Sequence, residues 1–384
     1  MSKARLGNAA AMLAAPALLA AIVVSYTAFW FYNAGAIKTR LADWAAERRA
    51  NGDAAAYVVE GVGGFPTRLA LEISSVELGF RRGETTWRLT APKLSIESGV
   101  FSPRAFSVAL PDGSEFGRTR PDRTDTLRKL GGQARFDFTV DAAEGLRTAV
   151  FGVADLALGG TWGGRALARP LHVTDGRIAV SAEPALVTAK NAAGPTARFG
   201  VSLNGLRWPD AAAFPLGPEV ESFVLDGEIT GPITAGTAYA ALKTWREAGG
   251  SVAIKRIGLH WGASALEGTG TLVLDARLQP AASLTARVEG FVPLVDVLET
   301  ADLIRDSDAT LARLVLGREM PKTGSANLSL SLRDGVVYAG PLALVRVPDV
   351  AWPGAPAPPP ERNLAEPGMD IGRDGTVRRK GDPL

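Results

Sequence analysis

The sequence predicts a mainly β protein of α+β class: an N-terminal transmembrane helix followed by an elongated, curled antiparallel β-sheet domain with a few packing helices. Three observations predict this. Residues 9–32 carry no charged side chain. From Tyr57 onward the hydrophobic period falls to two, the signature of half-buried strands. Glycine and proline contribute 43 and 25 of the 384 residues, above the usual share, so the chain turns often.

The elements follow in order. Residues 1–8 form a short N-terminal tail. Residues 9–32 read as a membrane anchor, because as a helix they span about 36 Å against a hydrocarbon core of roughly 30 Å. Pro16 is tolerated in such a helix. Phe29, Trp30, Phe31 and Tyr32, with Tyr26, stand where an aromatic belt meets the membrane–water boundary. The alternative is a cleaved signal peptide ending at Ala34-Gly35-Ala36. A long apolar run and bulky aromatics before that site favour retention. Residues 33–51 read as an amphipathic connecting helix, with Ile37, Leu41, Trp44 and Arg48 at spacings of three and four and Gly52 as its stop. Lys3 and Arg5 precede the span, and Lys38 and Arg40 follow it, so charge does not set the orientation. One N-terminal anchor ahead of a large domain most often places that domain outside the cytoplasm. The expected location is the inner membrane, with the main domain periplasmic.

Residues 52–348 read as one β-rich domain. Leu69, Leu71 and Ile73 alternate with polar or small residues, and Val76 and Leu78 continue on the opposite parity, so a bulge or turn belongs near Ser74-Ser75. Ala134, Phe136, Phe138 and Val140 share one face. Leu272, Leu274, Ala276 and Leu278 share another, and Leu328, Leu330 and Leu332 a third, opposite Asn327, Ser329 and Ser331. Turns are expected at Pro111-Asp112-Gly113, Thr174-Asp175-Gly176, Pro280 to Ser283 and Asp334-Gly335. Three helical stretches interrupt, marked by Tyr239, Leu242 and Trp245, by Leu294, Val297 and Leu298, and by Leu311, Leu314 and Val315. Residues 349–384 are proline-rich, then polar, and read as a disordered tail.

Composition narrows the chemistry. With no cysteine there is no disulfide, thiolate metal site or thiol nucleophile. Charge is nearly balanced, 42 basic against 40 acidic residues, which argues against nucleic acid. His172 and His260 are the two imidazoles, and neither sits in a metal-ligand spacing, so structural placement is favoured for both. The glycine-rich stretches at 61–64 and 159–164 match neither a P-loop nor a dinucleotide fingerprint and read as turns. Asp122 and Asp125 lack an EF-hand pattern and read as caps or solvated surface. No enzyme, cofactor or metal is expected.

What remains is the apolar face of many strands. A plain sandwich core and an open groove for acyl chains need the same alternation, and periodicity alone favours the core. If the face is a groove, Phe136, Phe138, Leu272, Leu274, Leu328 and Leu330 line it.

The order of short motifs resembles one family. Tyr26-x-Ala-Phe-Trp-Phe31, Leu41-Ala-Asp-Trp44 and Val62-Gly-Gly-Phe65-Pro66-Thr-Arg68-Leu69 come first. Leu259-His-Trp261-Gly262, Gly268-Thr-Gly270-Thr-Leu272-Val-Leu274-Asp275 and Leu278-Gln-Pro280 follow. Arg333-Asp334-Gly335-Val-Val-Tyr338 closes the set. These are similar to the DUF2125 family of alphaproteobacterial envelope proteins, over about residues 10–350; a departure is Ala263-Ser264, where the pattern has a Pro-Leu-like pair. More loosely the family resembles the AsmA-like envelope proteins, which have one anchor and a long β-groove. The resemblance implies a membrane-anchored periplasmic protein that binds or passes lipid along an apolar groove, with the inner membrane and phospholipid as partners. The alternative is an envelope scaffold with a closed core.

Overall fold

Helix α1 (Lys3–Ala50) is one unbroken helix, so the two predicted segments, anchor and connecting helix, are continuous. Its C-terminus closes where the sequence places a stop. The N–H of Asp53 reaches the Arg48 carbonyl and that of Gly52 the Arg49 carbonyl, with Gly52 at φ 80°, a Schellman closure. Arg48 and Arg49 in the last turn complement the helix dipole.

The rest is strand. The computed structural model describes residues 3–141, 145–182, 195–209, 216–234, 237–290, 325–340 and 342–350, with shorter pieces elsewhere and side chains from residue 22 onward. The strands are β1 (Ala54–Gly63), β2 (Arg68–Arg82), β3 (Thr85–Gly99), β4 (Ser102–Ala109), β5 (Glu115–Arg120) and β6 (Arg123–Val140). Then come β7 (Leu146–Trp162), β8 (Arg165–Ala166), β9 (Leu171–Ala182), β10 (Ala197–Arg207) and β11 (Glu219–Thr230). The last of the large sheet are β12 (Ser251–Trp261), β13 (Ser264–Leu274), β14 (Pro280–Glu289), β15 (Ser325–Arg333), β16 (Val336–Ala339) and β17 (Leu342–Arg346).

Nearly every strand pairs antiparallel with the next in sequence, which makes one long meander. β4 and β5 share the place between β3 and β6, and β8 is a short flap on β7, which goes on to pair with β9. Such a sheet needs only short turns, and the chain supplies them. Gly113 and Gly335 take positive φ where turns were expected, and Ser75, at φ 51°, lies where β2 slips register against β1.

Two expected turns are not turns. Thr174-Asp175-Gly176 lies inside β9, because Gly176 is the gap over which Val153 and Leu203 close: a Cβ there would stand 2.8 Å from Val153 Cγ2. Pro280 to Ser283 opens β14, and the turn falls just before it. There the Asp275 carboxylate accepts from the N–H groups of Arg277 and Gln279 at 2.8 and 2.7 Å. Ala276 and Leu278 therefore leave the strand that Leu272 and Leu274 belong to.

Helices cover the sheet at two places. Trp30, Ala34 and Ile37 of α1 pack against Leu69, Leu71, Ile73, Val76 and Leu94. Helix α2 (Ala238–Glu247), capped by Thr237, sets Trp245 on Leu274 and Leu278, and the indole donates to the Thr230 carbonyl at 2.9 Å. A third cover involves Val295, which is buried with Ala286, Val288 and Leu328. The two further predicted helices lie mostly outside the described residues, although Val295, Asp296, Glu299, Thr310 and Arg313 are helical and Arg313 pairs with Asp296 and Glu299.

The domain also runs past residue 348. The Val350 N–H donates to Gln279 at 2.7 Å and the Trp352 indole to the Leu278 carbonyl at 2.7 Å. Most of the expected disordered tail lies outside the described residues, but β18 (Met369–Ile371) and β19 (Val377–Arg379) within it pair antiparallel.

Candidate functional site: a continuous apolar face

Residues directly opposite one another in a ladder point to the same side of the sheet. Following the register strand by strand therefore shows what each face carries. One row runs Val62, Leu71, Ile96, Val108, Phe136, Phe151, Ile178, Val201, Leu225, Ile257, Gly268, Ala286, Leu328. Two residues along the strands on one side, or three on β12 where a bulge falls between Ile254 and Ile257, a second row passes through Phe106, Phe138, Ala149, Val180, Phe199, Gly227, Ile254, Gly270, Leu284 and Leu330. On the other side a third passes through Ala134, Val153, Gly176, Leu203, Phe223, Leu259, Leu266, Val288 and Ala326. No charged side chain enters any of the three.

The glycines in these rows are filled from the neighbouring strands. The Phe199 ring lies where a Cβ on Gly227 would be, and Leu284 Cδ1 would stand 2.9 Å from one on Gly270. The rows are thus apolar throughout, although glycine supplies no side chain. Gly227→Val should drive the Phe199 ring off the face and cost about 1–3 kcal/mol, the usual penalty for overpacking, measured by chemical denaturation.

The opposite face is polar. Glu228 takes Arg198 at 3.2 Å and Lys255 at 3.0 Å, and these hydrogen bonds hold its carboxyl below the usual range. On β6, Arg135 pairs with Asp137 at 2.9 Å. Burial pushes the Asp137 carboxyl up, but hydrogen bonds from Ser107 and Arg135 outweigh it and leave the group below its ordinary value.

The three rows are not covered evenly. At the α1 end Leu69 and Leu71 are fully buried, and beneath Val295 so are Ala286 and Val288. Between these covers the face opens: Phe136 is 38% exposed and Ile178 49%. Phe151, Val201, Phe199, Leu203, Phe223, Leu225, Ile257 and Leu259 are all only half-buried. All six expected groove residues lie on this face. They differ in cover: Phe136, Phe138, Leu272 and Leu330 are exposed or half-buried, whereas Leu274 is packed under Trp245 and Leu328 against Val295. For those two, a lining role is corrected to a local core, because helices occupy the space in front of them.

The four expected membrane-interface residues also divide. Phe29, Phe31 and Tyr32 are exposed. Trp30 is 3% exposed, set edge-on to Phe65, and its indole donates to the Arg68 carbonyl at 3.0 Å. It joins helix to sheet and has no surface left for lipid. No helix among the described residues is long and apolar enough to cross a membrane, and the first part of the expected span, residues 9–21, has no described side chains.

A charged cluster missed in the sequence sits on β3, β5 and β6, where Trp87, Arg118 and Asp125 stand opposite one another. Asp125, expected as a cap or on the solvated surface, is 1% exposed. Its carboxylate accepts from Arg118 and, at 3.0 Å, from the Gly164 N–H. The Arg118 guanidinium lies 4.3 Å from the Trp162 ring centre and 5.7 Å from that of Trp87. Burial raises the Asp125 carboxyl, and the Arg118 and Gly164 hydrogen bonds with the Arg118 and Arg123 charges outweigh it, so the group lies below its usual range. A shallow hollow of about 330 Å³ lies between Phe106, Phe138 and Arg135; in it the Ser107 hydroxyl donates to the Asp137 carboxylate, and no histidine lines it. His172 and His260 lie on different strands, opposite Arg207 and Ala157 and opposite Ser222 and Ala265. No metal-binding group of three acidic or histidine side chains occurs among the described residues.

Fold and face define a class: an N-terminal helix laid on one end of a single antiparallel meander, with one face continuously apolar and partly uncovered. The chain belongs to the DUF2125 family, described as uncharacterised proteins conserved in bacteria, whose family model matches residues 30–348. No curated protein and no solved structure matches it. The looser likeness to the AsmA-like proteins is not confirmed by these comparisons.

Proposed function

We propose that this is a membrane-anchored envelope protein, its main domain periplasmic, that holds or passes phospholipid acyl chains along the apolar face. The observation that carries the proposal is the exposure of the three uncharged rows between their two covers. From β6 to β12 they run for roughly 24 Å at about 4.8 Å per strand. That is longer than the roughly 15 Å half-bilayer one acyl chain occupies. Adjacent rows are about 7 Å apart, so the face is wide enough for a chain lying across the strands. Each methylene moved from water onto it contributes about 0.8 kcal/mol. Exposed apolar surface on this scale marks a binding site in stable soluble domains. Head groups would remain at the rim, in water. No covalent step is proposed.

A scaffold with a closed core is the second reading, favoured by the burial of Leu274 and Leu328. It accounts for the covered ends and leaves the open middle unexplained. Native mass spectrometry of the full chain, extracted in mild detergent, separates the two. Bound phospholipid at a fixed ratio, surviving detergent exchange, supports the lipid reading. A lipid-free, folded chain overturns it.

A further inference from the structure

The turns that join β1 to β2 and β3 to β4 both carry a phenylalanine at the tip, and both tips sit against α1. Phe65 is exposed and lies 6.4 Å from Tyr26, whose hydroxyl donates to the Pro66 carbonyl. Phe101 is 81% exposed, 6.0 Å from Tyr26 and 6.5 Å from Phe29. The residue before it, Val100, is buried in the core, so the turn is anchored and the ring beside it is held outward. A folded chain that leaves such a ring in water gives up the free energy of burying it. The helix residues just before these contacts, Ile22, Val23 and Val24, are exposed and apolar as well, and the uncharged run of the sequence continues from there toward the N-terminus. Three residues after each phenylalanine comes an exposed arginine, Arg68 and Arg104. Aromatic rings with cations beside them suit the boundary between acyl chains and anionic head groups.

We infer that Phe65 and Phe101 dip into the surface of the same bilayer that α1 enters, so that the helix and two hairpin tips dock the sheet on the membrane. The inference rests on the anchoring proposed above and adds two contacts to it. It places the start of β4, the strand that carries Phe106 and Val108, at the lipid surface. The occupant is a lipid bilayer, because the patch is continuous with the uncharged helix.

The chain has no cysteine, so single cysteines can be spin-labelled in the full protein without background. Phe101→Cys, Val23→Cys and Ser202→Cys, each labelled and reconstituted in nanodiscs containing anionic phospholipid, are compared by power saturation with oxygen and a water-soluble nickel chelate. The expected result is a Phe101→Cys label accessible to oxygen and shielded from nickel, like Val23→Cys and unlike Ser202→Cys on the polar face. A Phe101→Cys label open to nickel, with Val23→Cys shielded, overturns the docking and leaves the anchor standing. Nickel access at both overturns both. Shielding of Phe101→Cys from both reagents marks a protein partner in place of lipid and also overturns it.

Discussion

Ile178→Asp is expected to lower bound phospholipid by more than tenfold while leaving the domain folded. Ile178 is half exposed in the middle of the central row, so a carboxylate there stays hydrated in the empty protein. Substitutions at such positions usually move stability by about 0.5 kcal/mol. With an acyl chain laid over it the same carboxylate is desolvated without a partner, at a cost of several kcal/mol. A factor of ten needs only about 1.4 kcal/mol. Arg177→Asp, one residue away on the polar face, is the control and should leave lipid content unchanged. Equal lipid content in the two variants would place the lipid somewhere other than this face.

Asp125→Ala carries the largest expected stability loss. It leaves the Arg118 guanidinium enclosed by Trp87 and Trp162 with no carboxylate to answer it. Removing one partner of a buried pair typically costs about 3–5 kcal/mol, read as a lowered denaturation midpoint. Replacing both members by Leu should cost less than removing Asp125 alone, because no charge is then stranded. The pH dependence has a fixed sign. A carboxyl held below its unfolded value contributes stability fully above that value, about 3.9, and loses it as pH falls through the lower folded value. The wild-type chain should therefore weaken below about pH 4, and Asp125→Ala should lack that share of the acid sensitivity.

The period-two segments were legible because alternation is local: Leu328-Ser329-Leu330 declares its own two faces. What alternation cannot give is register, since the same strand slid by one residue puts its apolar set on the other side. The continuity of Phe136, Phe151, Ile178, Val201 and Leu225 exists only once those strands are aligned. Gly176 was misread for a related reason. A Thr-Asp-Gly tripeptide is turn chemistry in isolation, and only the Val153 and Leu203 side chains leaning over it show why a strand needs the gap. Asp125 looked like a cap or solvated surface because its partner, Arg118, and the Gly164 N–H come to it from other strands and turns. Trp30 looked interfacial because it lies among exposed aromatics, and the Arg68 carbonyl that claims its indole is far along the chain. Cover was the least legible feature. Leu274 and Leu328 have the same alternation as Leu272 and Leu330, and only the placement of Trp245 and Val295 separates core from open face.

The central claim is that one open apolar face holds acyl chains along its length. A photoreactive amino acid placed in turn at Phe136, Ile178, Leu225 and Ile257, with Arg177, Ser202 and Asp226 as positions on the opposite face, tests it in living cells. Phospholipid adducts at all four row positions and at none of the three others are the expected result. Adducts absent from the row, or equal on both faces, would contradict the claim.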